Sequence, residues 1–252
     1  MAEHSKPAPV RIALYALCAL LLGVAGSYLA AWSGLTRPAT EATVRAYLLD
    51  HPEILPEAME RLQARQAGAR LAPIRKEVTT PFPGAVLGNP KGTRVLVEFS
   101  DFACTYCRHS VAEVEALIAK DPDLKVVIRE LPILSEQSAD AARMGLAAAE
   151  QGRYAAFHKA MYELGPPSPA SIAAAAQQAG LDMARARAFA ASKDVETEIA
   201  RNLAMAERLQ FNGTPSWVAG DQAFSGAVSS EVLADALAQE TPQQATRQDK
   251  GA

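Results

Sequence analysis

The chain has 252 residues, 49% of them hydrophobic, with 28 acidic against 25 basic side chains and a net charge of −3. That length carries one sizeable domain with additions, and so mild an acidic balance points to no nucleic-acid partner. There are three cysteines, and only two lie outside an apolar N-terminal run, which excludes a disulfide-scaffold domain.

Residues 1–11 are polar, with Lys6 and Arg11 ahead of the apolar run. Ile12 to Trp32 holds no charge over 21 positions. At ~1.5 Å per residue, such a helix would match the ~30 Å hydrocarbon core of a bilayer. A cleaved signal has a shorter apolar region, ~7–15 residues, and an Ala-x-Ala-like site. The small residues around Ala25 to Ala31 make a poor site of that kind. The expectation is a transmembrane signal anchor over 12–32, with a cleaved signal peptide as the alternative. Residues 1–11 would then stay cytoplasmic and the bulk of the chain would leave the cytosol. Cys18 reads as an apolar filler of that run.

Thr36-Arg37-Pro38 ends the run. Val44, Tyr47, Leu48, Ile54, Leu55, Met59 and Leu62 then form an apolar stripe at spacings of three and four. Pro52 and Pro56 interrupt it, because proline is tolerated only in a first turn. Two short helices are expected, about 40–50 and 53–67, as a helical arm over 36–70. Such a stripe either packs on its own domain or joins copies of the chain. Residues 71–89, with Pro73, Pro81, Pro83, Gly84 and Gly88, read as a linker or extended lead-in.

Val95-Leu96-Val97-Glu98-Phe99 reads as a buried strand over about 94–99. Phe102-Ala103-Cys104-Thr105-Tyr106-Cys107 follows, then Val111, Val114, Leu117 and Ile118 at helical spacing up to about Lys120. The Cys-x-x-Cys pair therefore stands at a strand-to-helix junction, with Cys104 near the helix start. A helix N-terminus carries partial positive charge and unpaired N–H groups, which favour thiolate over thiol. A free cysteine near pKa ~8.5 can fall by several units at such a place. Zinc wants about four ligands, and neither Cys18 nor His4, His51, His109 and His158 supply the spacing. A purely structural disulfide gains little from so short a loop. The pair reads as redox-active, and no metal or cofactor is expected.

Leu124 to Leu131 is the next strand, which makes strand, helix, strand a βαβ unit with a parallel pair. Helical stripes follow at 139–151, 153–163, 169–179, 182–191 and 194–210, the last with a stop at Asn212-Gly213. Ser216–Ala219 and Gln222–Phe224 read as a hairpin around Gly220-Asp221. A last helix spans about 229–239, and the polar tail 241–252 is expected to be disordered.

Together these motifs resemble the DsbA family of extracytoplasmic thiol–disulfide oxidoreductases, over about residues 85–240. The resemblance rests on Val97-Glu98-Phe99 before the cysteine pair, on Gln151-Gly152-Arg153-Tyr154-Ala155-Ala156-Phe157-His158, and on Gly213-Thr214-Pro215-Ser216-Trp217. The stretch from Val44 through His51-Pro52-Glu53 to Leu55 is similar to the N-terminal arm of ScsC-like members, which can trimerise. The resemblance implies an α/β thioredoxin fold over 90–240 with an inserted helical domain at about 135–211, preceded by the membrane segment and the short helical arm.

By the same resemblance Cys104 is the exposed nucleophile and Cys107 the buried resolving thiol. Thr214 and Pro215 form a cis-proline loop where an extended client strand pairs. Glu98 falls where the family keeps a buried acid, so a raised pKa and a role in shuttling the Cys107 proton are expected. A solvent-facing strand position is the alternative for Glu98. His109 reads as a surface residue and His158 as structural. The implied partners are cysteine-containing exported clients, a membrane or soluble redox partner that resets the pair, and a second copy through 36–70. The implied setting is the periplasm, anchored to the inner membrane or free. Oxidase and isomerase stay open as activities. Because ScsC-like proteins are linked to copper tolerance, Cu(I) binding by the same two cysteines is the alternative function.

Thr105-Tyr106 departs from the Pro-His pair of strongly oxidising members, which removes a histidine that stabilises the thiolate. The redox equilibrium of the purified chain with glutathione is therefore expected to give a potential well below the about −120 mV of the strongest oxidants.

Overall fold

The computed structural model describes residues 9–32 and 37–239, divided into two units between Arg61 and Leu62. The tail 241–252 lies outside the described residues. In the first unit, α1 (Pro9–Trp32) forms over the apolar run and α2 (Arg37–Asp50) over the start of the arm. The α1 side chains that the structure describes, 13–29, are all exposed. Among the described residues no helix is long and apolar enough to cross a membrane. The structure thus supplies no support for a transmembrane anchor at 12–32. α3 (Ile54–Leu71) outruns the helix expected at 53–67 and keeps Pro56 in its first turn.

In the second unit, a 3-10 turn (Ala72–Ile74), α4 (Arg75–Thr79) and β1 (Val86–Gly88) occupy the stretch read as a linker. Leu71, Ile74 and Val78 are buried there, so its apolar side chains have a core to enter. β2 (Arg94–Ser100), α5 (Thr105–Lys120) and β3 (Leu124–Glu130) form the expected βαβ unit. β4 (Ser216–Ala219) and β5 (Gln222–Ser225) form the hairpin. The five strands are ordered β1-β3-β2-β4-β5. β2 and β3 are parallel and the other pairs antiparallel.

Strand side chains alternate between the two faces of this sheet. Leu96, Val126, Ile128, Trp217 and Ala219 share one core with Val114 and Leu117 of α5 and with Leu233 and Leu237 of α11 (Ser230–Ala238). Val97, Phe99, Val127 and Val218 share the other with α4 and α10 (Lys193–Leu209). Both faces are covered, so β2 reads as a continuous apolar run rather than an alternating one.

Between β3 and α10 come α6 (Glu136–Glu150), α7 (Tyr154–Leu164), α8 (Pro169–Gln178) and α9 (Met183–Ala190). Their shared core is rich in alanine, with Ala141, Ala147, Ala148, Ala175, Ala176 and Ala186 against Phe157 and Met161. Ser135, Ser168, Asp182 and Ser192 each cap a helix start with a side-chain oxygen. The Ser135 cap is why α6 begins at Glu136, ahead of the stripe that begins at 139. α10 stops at Gln210, which adopts the left-handed conformation (φ 59°), before the Asn212-Gly213 expected to end it. Gly84 (φ +88°) lies where a Cβ would strike the Ala149 carbonyl oxygen, so the lead-in passes α6 without a side chain.

A charged pair is buried on the α10 face. Arg129 is 1% exposed. Its Nη1 donates to Glu198 Oε1 at 2.7 Å and to Asn202 Oδ1 at 3.3 Å. Its other nitrogens donate to the Val78 carbonyl and to those of Glu77 and Thr80. The guanidinium thereby satisfies the C-terminal carbonyls of α4 and fastens the lead-in to the sheet. Breaking a buried pair leaves a charge without compensation and costs about 3–5 kcal/mol. Arg129→Met leaves Glu198 with only the half-exposed Arg201, at 3.2 Å, and is expected to lower stability in chemical denaturation by about 3 kcal/mol, the low end of that range. Joining it to Glu198→Leu should return much of the loss.

Candidate active site

Asp101, Phe102 and Ala103 carry the chain from β2 to α5. The Asp101 Oδ1 accepts the Ala103 N–H at 2.8 Å, and its Oδ2 accepts the N–H groups of Ile133 and Leu134 at 2.9 and 3.0 Å. Its carbonyl accepts the Cys104 N–H at 2.9 Å. One side chain thus shapes the turn before the cysteines and ties it to the loop after β3. Asp101 is a site residue that sequence reasoning missed. The available signal was an Asp at a strand end two residues before a tight turn.

Cys104 is the N-cap of α5, in extended conformation, and its sulfur accepts the Cys107 N–H at 3.2 Å. The Cys104 thiol donates to the Thr214 carbonyl at 3.2 Å, which brings the loop before β4 against the pair. The Thr214–Pro215 bond is cis, as the resemblance implies. The Thr214 hydroxyl is buried with no hydrogen-bond partner among the described residues. Sequence reasoning placed Cys104 in the open. The structure corrects this: Cys104 is 5% exposed, because its sulfur lies beneath the Thr214 carbonyl. Both cysteines are free thiols.

The two sulfurs are held at opposite ends of the thiol range. The Cys107 thiol, hydrogen-bonded to the Cys104 sulfur, is the largest influence drawing the Cys104 pKa down to about 6. Partial burial opposes this, and the N–H groups of Cys107 and Tyr106 add to it. Burial pushes the Cys107 thiol far up, and its hydrogen bond to Cys104 and the charge of Glu98 push the same way. So one sulfur ionises readily and the other holds its proton.

Glu98 is 3% exposed, so it does not face solvent. Burial pushes its carboxyl up to about 8, against the hydrogen bond from Ser100. The Ser100 hydroxyl lies 3.2 Å from Glu98 Oε1 and 2.8 Å from the Tyr162 hydroxyl. The structure therefore brings Cys104, Cys107, Thr214, Pro215 and Glu98 into one neighbourhood. It leaves His109 exposed beside the Tyr106 ring, at a centroid distance of 6.5 Å. It buries His158 among Phe102, Tyr154 and Tyr162. Among the described residues no cluster of three or more His, Cys, Asp or Glu has the arrangement of a metal site.

The raised Glu98 pKa has a consequence for stability. The fold keeps a proton on Glu98 that the unfolded chain releases above about pH 4.5. Its stabilising contribution is complete below that pH and is lost as the pH rises towards about 8. Glu98→Gln removes the dependence. Denaturation of the reduced proteins is expected to show Glu98→Gln gaining on the wild type steadily from pH 5 to 8.

A family model described as "DSBA-like thioredoxin domain" matches residues 95–238. A second, "Copper resistance protein ScsC N-terminal domain", matches residues 39–69, the helical arm. Among solved structures, a thioredoxin-like oxidoreductase from Silicibacter pomeroyi DSS-3 is 38% identical, with a TM-score of 0.62 over 71% of this chain and 99% of that one. Proteus mirabilis ScsC in a transitional conformation is 26% identical, with a TM-score of 0.61 over 85% of this chain and 99% of that one. A curated relative, Na(+)/H(+) antiporter NhaA 1 of Salinispora arenicola, is 26% identical over 155 residues, which are 60% of this chain. The chain spans 24% of that relative's length, about a quarter. With a match that runs over more than half of its length, the chain belongs to the DSBA-like thioredoxin domain family.

Proposed function

We propose that the chain is an extracytoplasmic thiol–disulfide oxidoreductase that acts on cysteines of exported proteins, and that its reduced form isomerises or reduces wrong disulfides. The observation that carries this is the placing of Cys104. Its sulfur caps α5, accepts the Cys107 N–H at 3.2 Å and touches the Thr214 carbonyl at 3.2 Å. The Cys104 thiolate attacks one sulfur of a client disulfide, which releases the other client sulfur as a thiolate. A mixed disulfide between Cys104 and the client results. A nearby client thiolate then displaces Cys104, which completes isomerisation with no net electron transfer. Alternatively Cys107 gives its proton to the Glu98 carboxylate and attacks the Cys104 sulfur. The client leaves reduced, and the pair is oxidised by the two electrons lost. A carboxyl near 8 suits this exchange, since it is a base strong enough to matter near neutral pH.

The lean toward isomerase comes from the arm. Val44, Tyr47, Leu55, Met59 and Leu62 are exposed large apolar residues, and the segment that holds them matches the ScsC N-terminal domain. We read them as the surface that joins copies of the chain, so that several Cys104 sites face one client. The apolar run at 12–32 serves as the export signal, kept as an anchor or removed. Copper handling is the lesser reading. Soft thiolates suit Cu(I), and a metal that binds them displaces their protons.

The purified chain is expected to reduce insulin with glutathione as donor. Cys104→Ser should lower the rate roughly a hundredfold or more, and Cys107→Ser should accumulate a covalent client adduct. Rescue of scrambled ribonuclease by an oligomer of measured mass, lost when residues 36–61 are deleted, establishes isomerase. Rescue that is indifferent to the deletion removes the arm from the function.

A further inference from the structure

On the sheet face beneath α7 lies a layer of buried titratable groups. Tyr154, His158 and Tyr162 follow one another at i, i+4 and i+8, and so share one side of that helix. Opposite them stand Glu98 and Ser100 of β2 and Glu130 of β3, with Ser100 and Glu130 directly paired in register. Glu130 Oε1 accepts the Tyr154 hydroxyl at 2.6 Å, and Ser100 joins Tyr162 to Glu98. Gly145 of α6 lets Glu130 in, since a Cβ there would come within 3.0 Å of Glu130 Oε1.

One member has no protein partner. His158 is 4% exposed, and its Nε2 is buried with no hydrogen bond among the described residues. It lines a cavity of about 210 Å³ together with Glu98, Val111, Ile118, Ala155 and Lys159. The floor of this cavity is buried. Its rim is open, because Ala155, Lys159 and Glu115 are exposed. A buried ring nitrogen left without a bond is costly, because it has lost its water and gained no partner. A cavity with two polar walls and an open rim holds water instead, at ~30 Å³ per molecule.

We propose that this cavity is the path by which Glu98 exchanges its proton with solvent, and that His158 Nε2 positions the water between them. The proposal rests on the thiol–disulfide exchange set out above, and it gives the resolving step an exit for its proton. The Cys107 proton passes to the Glu98 carboxylate and then, through bridging water, to bulk solvent. The Cys107 thiolate forms the S–S bond to Cys104, the Cys104–client bond breaks, and the client sulfur leaves as thiolate with the electron pair. His158 is a positioning residue, since it touches neither sulfur nor client. It is held neutral, for burial lowers its pKa to about 4, so its ring can hold water without bringing a second charge near Glu98. The other groups facing Glu98 are Cys104 at the start of α5, Cys107 of α5, Glu130 of β3, and Tyr154 and Tyr162 of α7. Glu115 and Lys159 stand at the rim.

The test uses the reduced full chain and 5,5′-dithiobis(2-nitrobenzoate). Attack by Cys104 releases one thionitrobenzoate, and resolution by Cys107 releases a second. Ala155→Leu places an apolar plug at an exposed rim position of α7, where a change of fold is not expected. The first phase should stay within about twofold of the wild type. The second should slow at least fivefold, and its solvent deuterium isotope effect should change. Ala155→Ser should behave as the wild type, and His158→Leu should slow the second phase where His158→Gln does not. An unchanged second phase and isotope effect in folded Ala155→Leu overturns the proton path and leaves the exchange function standing. Absence of the first phase in the wild type overturns both.

Discussion

The hydrogen bond from the Cys107 backbone to the Cys104 sulfur, at 3.2 Å, is the contact on which the rest of the site depends. It exists because α5 begins at the residue after Cys104, so the unpaired N–H of the third helical residue finds a sulfur where other helices find a serine or aspartate oxygen. A sulfur there is both a cap and a nucleophile. The same short spacing carries Cys107 one turn inward, under β2 and beside Glu98. Two identical side chains three residues apart thereby acquire opposite tendencies, one to ionise and one to stay protonated. Exchange needs that asymmetry. The outer sulfur must be ready before a client arrives, and the inner one must wait until the mixed disulfide has formed.

The scaffold secures this with a sheet covered on both faces. β2 and β3 place polar groups on each side of it, and each has its own solution. On the α10 side, Arg129 is neutralised by Glu198 and saturated by backbone carbonyls, an arrangement that fixes the lead-in segment. On the α7 side, Glu98 and Glu130 have no basic partner among the described residues. They are covered by tyrosine hydroxyls, a serine and a neutral histidine. A carboxyl in such a place is kept protonated by desolvation rather than paired. That suits a group whose task is to take up and give back one proton.

Much of this was legible in the order of residue types. The βαβ unit followed from two apolar runs flanking a helical stripe, and the place of Cys104 followed from the end of the first run. The loop at Thr214-Pro215 was legible through the family motif, not through spacing. Other parts depended on contacts distant in sequence. Val97-Glu98-Phe99 carries no alternation, since both faces of β2 are buried, so the direction of Glu98 could not be read. Arg129 resembles any charge near a strand end until Val78 and Glu198 are seen around it. The stretch 72–89 is rich in proline and glycine and reads as a linker, yet Arg129 captures its carbonyls from about fifty positions away. His158 sits on a legible helical stripe, but what that stripe faces was decided by the fold.

The most direct measurement is the ionisation of the outer thiol. The thiolate absorbance near 240 nm of the reduced chain, titrated from pH 4 to 10 with Cys104→Ser as the blank, should rise with a midpoint at about 6. A midpoint near the ~8.5 of free cysteine would show that the helix start and the inner thiol do not activate this sulfur, and would contradict the central claim.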